Sequence, residues 1–179
     1  MEEEHNFEEE DEKPEEEILE DGIPDFDELP PPDREGSEDR HLDEKEVKVV
    51  GVYEHQDTAT AQPAAFVLLR DNKGRSVLIW IGRPEAFSIS VALEGASADR
   101  PMTHDLMKNI VSRLGGTVER IIIDDLWHDT YYAKIHVAVN GNIIEIDSRP
   151  SDAIALATQA GAPIFVEEEV LEKAAKDFE

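Results

Sequence analysis

A chain of 179 residues with 43 acidic and 17 basic side chains carries a formal net charge of −26, which disfavours a surface built for tight electrostatic capture of nucleic acid. It contains no cysteine, so disulfides, thiolate metal sites and cysteine nucleophiles are excluded, and any catalysis must come from carboxylates, imidazoles, hydroxyls or amines. No run approaches the ~20 apolar residues of a membrane span and no basic-then-apolar leader opens the chain, so a soluble cytoplasmic protein is expected.

Residues 1–45 hold 22 of the acids against four bases, with few sizeable apolar side chains among them. Ordering a residue costs roughly 1–2 kcal/mol of entropy, which so few apolar groups do not offset. A disordered acidic tail is therefore expected over 1–45 and one folded domain over 46–179. The tail is a solvating extension, or, through Ile18, Leu19, Ile23, Phe26 and Leu29 ahead of three prolines, a segment that meets a protein partner or mimics nucleic acid.

Val47, Val49, Val52 and Tyr53 favour a strand from Glu46 to Glu54, and 56–63 read as a loop. Ala65–Arg70 and Ser76–Ile81 make two more strands around Asp71-Asn72-Lys73-Gly74, residues that suit a hairpin turn. A helix follows over Pro84–Glu94, although Phe87, Ile89, Val91 and Leu93 alternate as a strand would. In the next helix, with Thr103 as its cap, Leu106, Met107, Ile110, Val111 and Leu114 form one apolar face, centred on Leu106, Ile110 and Leu114.

Thr117–Asp125, Tyr131–Val139 and Asn142–Asp147 read as strands, the last two joined at Asn140-Gly141. Pro150–Ala160 is a helix stopped by Gly161, Pro163–Val166 a brief extended piece, and Glu167–Phe178 a final helix. Arg83, Pro84, Gly95 and Ala96 recur as Arg149, Pro150, Gly161 and Ala162 at a constant offset of 66. Each set follows three strands and precedes a helix of matching apolar spacing. The expected fold is therefore α+β: duplicated βββαα units sharing one core, with a mostly antiparallel sheet.

Three strings are specific: Ile79-Trp80-Ile81-Gly82 running into Glu85-Ala86; Arg100-Pro101-Met102-Thr103-His104-Asp105-Leu106; and Ile146-Asp147-Ser148-Arg149-Pro150-Ser151-Asp152-Ala153-Ile154-Ala155-Leu156-Ala157. Together they resemble the bifunctional nuclease domain family over about Glu46–Lys173. The resemblance implies hydrolysis of phosphodiester bonds in DNA or RNA; the alternative is a non-catalytic regulatory or protein-binding domain.

Phosphodiester hydrolysis without cysteine commonly uses Mg²⁺ or Mn²⁺ held by carboxylates, with His or Lys nearby. Asp147 and Asp152 flank a strand-to-helix turn and are the expected metal and catalytic pair, with His104 and Asp105 the next set. Arg149, Ser151 and Arg100 are expected to bind substrate, and Glu85 is a secondary candidate. The simpler reading of Asp105 and Asp152 is helix capping, and of Arg149 an ion pair with Asp147 or Asp152. His104 falls at the edge of its helix's apolar face, within reach of a cleft, and His136 is read as a solvent-face residue. Asp124, Asp125, His128 and Asp129 around Trp127 have metal-like composition without a ligand spacing, and turn chemistry accounts for them. Exposed sheet edges, with the resemblance, point to a homo-oligomer.

Overall fold

The computed structural model describes residues 43–56, 63–96 and 99–176, so residues 1–42 of the expected tail, loop residues 57–62 and the end of the expected last helix lie outside the described residues. Three strands come first, β1 (Glu44–Gln56), β2 (Pro63–Asp71) and β3 (Ser76–Ile81), then two helices, α1 (Arg83–Leu93) and α2 (Thr103–Arg113). Three more strands follow, β4 (Gly116–Trp127), β5 (Thr130–Val139) and β6 (Asn142–Ser148), then α3 (Pro150–Ala160), a four-residue strand β7 (Ile164–Glu167) and α4 (Glu168–Lys176). No helix among the described residues is long and apolar enough to cross a membrane.

The strands form one sheet in the order β3-β2-β1-β7-β4-β5-β6. Every neighbouring pair is antiparallel except β4 with β7. The fold is thus α+β with a mostly antiparallel sheet, as the sequence implies. The brief extended piece after Gly161 is the strand that joins the two three-stranded arrays, through Val47 opposite Ile164 on one side and Ile121 opposite Ile164 on the other. β1 begins just inside the segment expected to be disordered, because Glu44 and Lys45 pair with Glu167 and Val166.

Turn chemistry sets the hairpins. Asn140 and Gly141 both take positive φ, 51° and 82°, the backbone that a two-residue turn requires. His128 and Asp129 do the same at 46° and 60°, so the acidic loop expected around Trp127 shrinks to two residues and β4 runs through it. Between β2 and β3, the buried Asp71 carboxylate accepts from the Lys73 and Arg75 backbone N–H groups and from Arg75 Nε. Arg75 then reaches the start of α4 with a two-pronged bond to Glu168, at 2.6 and 2.9 Å. These bonds hold the Asp71 pKa below its ordinary value even though burial works to raise it.

α3 is the centre of the core. Its small residues Ala153, Ala155 and Ala157 let it lie close to the sheet and α1, and with Ile154 and Leu156 they are almost fully buried. Val67, Leu69, Val77 and Ile79 of the first array and Ile121, Ile123, Ile135 and Val137 of the second point into the same core. A single core shared by both arrays results.

Two sequence expectations are corrected here. Leu106, Ile110 and Leu114 are not the packed face of α2: they are 52, 48 and 77% exposed, and His104, Met107 and Val111 turn inward instead. Both stripes are apolar at helical spacing, and the inward one was chosen by partners outside the helix, including Val137 and the bare Gly116, whose missing Cβ leaves room for Val111. His136 faces away from Ile135 and Val137 as expected but is buried rather than solvent-facing, because Arg120, Lys134 and Glu145 close over that side of the sheet.

Candidate active site

The starts of α1 and α3 converge on one cluster. Pro150 at the first helical position fixes φ for α3 without losing a useful N–H, and leaves Arg149 as the extended cap residue. The Arg149 guanidinium turns back over the helix end, donating to Asp152 Oδ2 from Nε at 2.7 Å and to Asp152 Oδ1 from Nη2 at 3.1 Å. Nη2 also reaches Glu85 Oε1 in the first turn of α1, at 2.9 Å. Asp152 above all, then Glu85, raise the Arg149 pKa above even its ordinary value.

Glu85 occupies its position because residue 82 has no side chain. A Cβ on Gly82 would come within 2.3 Å of the Glu85 carboxylate. Glu85 therefore folds back over the α1 N-terminus, where the helix dipole favours a negative charge.

Behind Arg149, Asp152 Oδ1 accepts from His104 Nε2 at 3.2 Å. The other ring nitrogen, Nδ1, lies 2.8 Å from Ser88 Oγ. Because the carboxylate only accepts, Nε2 carries a proton, and in the neutral ring the Ser88 hydroxyl donates to Nδ1. Burial works to raise the Asp152 pKa, but the Arg149 and His104 bonds outweigh it and the net shift is downward. The order Ser88–His104–Asp152 matches that of a nucleophilic triad, yet Ser88 is only 2% exposed and no substrate reaches it. The chain is a clamp that ties α1, α2 and α3 behind the one exposed member, Arg149.

A cleft of about 470 Å³ opens in front, lined by Trp80, Gly82, Thr130, Tyr131, Arg149 and Ser151. Ser151 sits buried in its floor in the first turn of α3. Of the residues singled out from the sequence, the structure thus brings Glu85, His104, Arg149, Ser151 and Asp152 to one place. Asp105 is elsewhere employed, its Oδ2 accepting from the Met102 N–H at 3.1 Å to cap α2. Arg100 is exposed ahead of α2 and takes no part in the Arg149 network.

Asp147 lies on β6 opposite Lys134, on the side of the sheet that carries Glu145, while Asp152 faces Arg149 and His104. Both Asp152 oxygens are taken by those partners. Among the described residues no group of three or more His, Asp or Glu side chains stands close enough to hold a metal ion. Asp147 and Asp152 thus have different surroundings, and the Asp152 carboxylate is shared between Arg149 and His104.

Two features escaped sequence reasoning. Ser88 carries no motif; its only signal is a small polar residue beside Ile89 on the buried side of α1. The other is a polar cluster on the opposite face of the sheet, where Asp124 Oδ1, His136 Nε2 and Glu167 Oε1 are buried without a hydrogen-bond partner among the described residues. Burial first, then the nearby Glu44 and Asp124 charges, push the Glu167 pKa up to about 7. Burial and the Arg120 charge lower that of His136.

The sequence profile of the bifunctional nuclease domain matches residues 67–179, which include every member of the Ser88–His104–Asp152–Arg149–Glu85 network. An uncharacterized protein of Mycobacterium tuberculosis is 39% identical over 130 residues, covering 72% of this chain and 75% of the relative. A protein of Oryza sativa subsp. japonica named bifunctional nuclease 1 is 32% identical over 109 residues, covering 58% of this chain and 33% of the relative. One of the same name in Arabidopsis thaliana is 26% identical over 115 residues, covering 63% and 35%. The chain spans about a third of those plant proteins. On the extent of the profile match and the identity to the mycobacterial relative, this chain belongs to the bifunctional nuclease domain family.

Proposed function

We propose that the protein is a nuclease that hydrolyses phosphodiester bonds of DNA or RNA, and that the Arg149 cleft is its reaction site. The observation that carries this reading is Arg149 itself, a guanidinium with 68% of its side chain exposed, at a helix N-terminus and held from behind by the buried clamp. A phosphate entering the cleft would meet that guanidinium, the Ser151 hydroxyl and the α3 N-terminus, groups suited to charge that grows on phosphoryl oxygens. Glu85 is the group we assign to accept a proton from the attacking water. Asp152 and His104 act as positioning residues.

The test uses the purified full chain with labelled single-stranded RNA and duplex DNA, in Mg²⁺, in Mn²⁺ or in chelator. Cleavage should fall at least a hundredfold in Arg149→Ala and Glu85→Gln. Unchanged cleavage in both would remove the cleft assignment. The Mg²⁺ or Mn²⁺ expectation for Asp147 and Asp152 is the second arm: loss of cleavage in chelator and in Asp147→Asn would support a metal bound only with substrate.

One observation favours a second reading, a non-catalytic regulatory or protein-binding domain whose acidic tail meets a partner: Arg149 is already flanked by two carboxylates in a chain of net charge −26. Absence of cleavage by folded protein under every metal condition would favour it. A cytoplasmic location, a homo-oligomeric state and descent of the two βββαα arrays from one duplicated unit complete the proposal. The exposed Leu106, Ile110 and Leu114 row and the half-exposed edge strand β6 support oligomerisation. The three-strand arrays on either side of β7 support duplication.

A further inference from the structure

The first array has a second face. Val67, Leu69, Val77 and Ile79 point into the core, so Phe66, Leu68 and Arg70 of β2 and Leu78 and Trp80 of β3 point the other way. There Tyr53, Phe66 and Trp80 stand side by side across three strands, in register as Tyr53 opposite Phe66 and Phe66 opposite Trp80. The Tyr53 and Phe66 rings are 5.4 Å apart at 24°, Phe66 and Trp80 5.4 Å apart at 70°, and His55 adds a fourth ring 6.0 Å from Trp80. Tyr53 is 43% and Trp80 57% exposed.

Tyr53 lies down along its strand. A Cβ on Gly51 would come within 3.2–3.4 Å of its hydroxyl and ring carbons, so the bare glycine leaves the floor on which the ring rests. Further along the same face, Lys48 and Arg70 are directly opposite each other. Like charges in that relation repel, and among the described residues neither has a carboxylate partner; Arg70 Nε donates only to Ser76 Oγ. Four residues of strand, about 13 Å, separate Phe66 from Arg70. The face therefore combines flat, exposed rings with a pair of cations that make no ion pair among the described residues, although Glu46 precedes Lys48 on the same side of β1. Residue Trp80 also stands among those that line the Arg149 cleft.

We infer that this face of β1–β3 binds single-stranded nucleic acid, stacking unpaired bases on Tyr53, Phe66 and Trp80 and holding phosphates with Lys48 and Arg70. Bases offer a π face whatever their sequence, and the cation pair supplies charge complementarity to the backbone. Duplex DNA keeps its bases stacked inside and cannot use the rings. That a strand on this face continues past Trp80 to Arg149 rests on the nuclease reading; the binding itself does not.

Fluorescence anisotropy with labelled oligo-dT and oligo-U of about 15 nucleotides, a length matched to known single-strand platforms, tests it on the full chain in chelator. Single strands should bind at least tenfold tighter than a duplex of equal length and quench tryptophan emission. Trp80→Ala and Phe66→Ala should each weaken binding about tenfold, with Trp80→Phe restoring most of it. Lys48→Ala with Arg70→Ala should flatten the salt dependence. Circular dichroism matching the parent chain checks that the variants fold. Equal affinity for duplex, or single-strand affinity unchanged in Trp80→Ala and Phe66→Ala, would overturn the inference, and failure of the intact chain to bind any single strand would leave the face to a protein partner. If cleavage occurs, Phe66→Ala should raise KM and spare kcat. Binding that follows this pattern with no cleavage under any metal condition would sink the nuclease reading while the platform stands.

Discussion

Ser88 and His104, sixteen residues apart on α1 and α2, meet at 2.8 Å inside the protein, and through His104 the pair sets where Asp152 stands. Ser88→Ala should leave Nδ1 of a buried imidazole without its donor, a loss of about 1–3 kcal/mol by the usual cost of an orphaned polar atom. Urea unfolding monitored by circular dichroism measures it. A change below a few tenths of a kcal/mol would mean that the hydroxyl bond contributes nothing. Ser88→Cys, a poorer donor of nearly the same size, should fall in between.

Gly82→Ala tests the placement of Glu85. The methyl would meet the end of a flexible side chain, so the carboxylate should move and the fold should hold. Thermal stability should change little, while any activity of the Arg149 cleft should fall with it, as in Glu85→Gln. A large drop in melting temperature would show that backbone, and not Glu85, gives way.

Asp152 titrates below its ordinary value, so its contribution to stability has a definite pH window. The contribution is fully present above the unfolded pKa, near 3.8, and is lost as pH falls through the folded value. Asp152→Asn should therefore lower the melting temperature at pH 7 and converge on the parent chain in acid. Parallel curves across that range would contradict the assignment.

Glu167 works in the opposite sense. Its folded pKa of about 7 exceeds its unfolded value near 4.5, so the folded state is favoured in acid and loses stability as pH rises between the two. Glu167→Gln should remove that loss, stabilising the protein at pH 8 and changing it little at pH 4. A variant equally stable to the parent at both would place the carboxylate in water.

Local chemistry made much of this fold legible. Asn140-Gly141, Arg149-Pro150 and Gly161 each demand a backbone few other residues accept, and the turn, helix start and helix stop fall there. The same local rules could not choose between two apolar stripes on α2, because the choice depends on Val137 and Gly116 arriving from elsewhere in the chain. Four of the charged or imidazole groups at the cleft stood out as members of dense strings, but their connection through Ser88 did not. A buried serine has no periodic or charge signal. His136 failed for a related reason: strand alternation told which side it faces, not what covers that side.

The position of β7 has a consequence for how the protein reaches its native state. β1 and β4 are not paired with each other in the sheet; each bonds to β7, which the chain supplies only after both three-stranded arrays have been made. Until Ile164–Glu167 inserts, the arrays can form their hairpins locally but expose the two inner edges and the apolar faces that α3 will cover. Closure of the sheet is then the late, long-range step. A proline at Phe165, which would remove a ladder N–H from a strand paired on both sides, should trap the chain at that stage rather than merely weaken the finished fold.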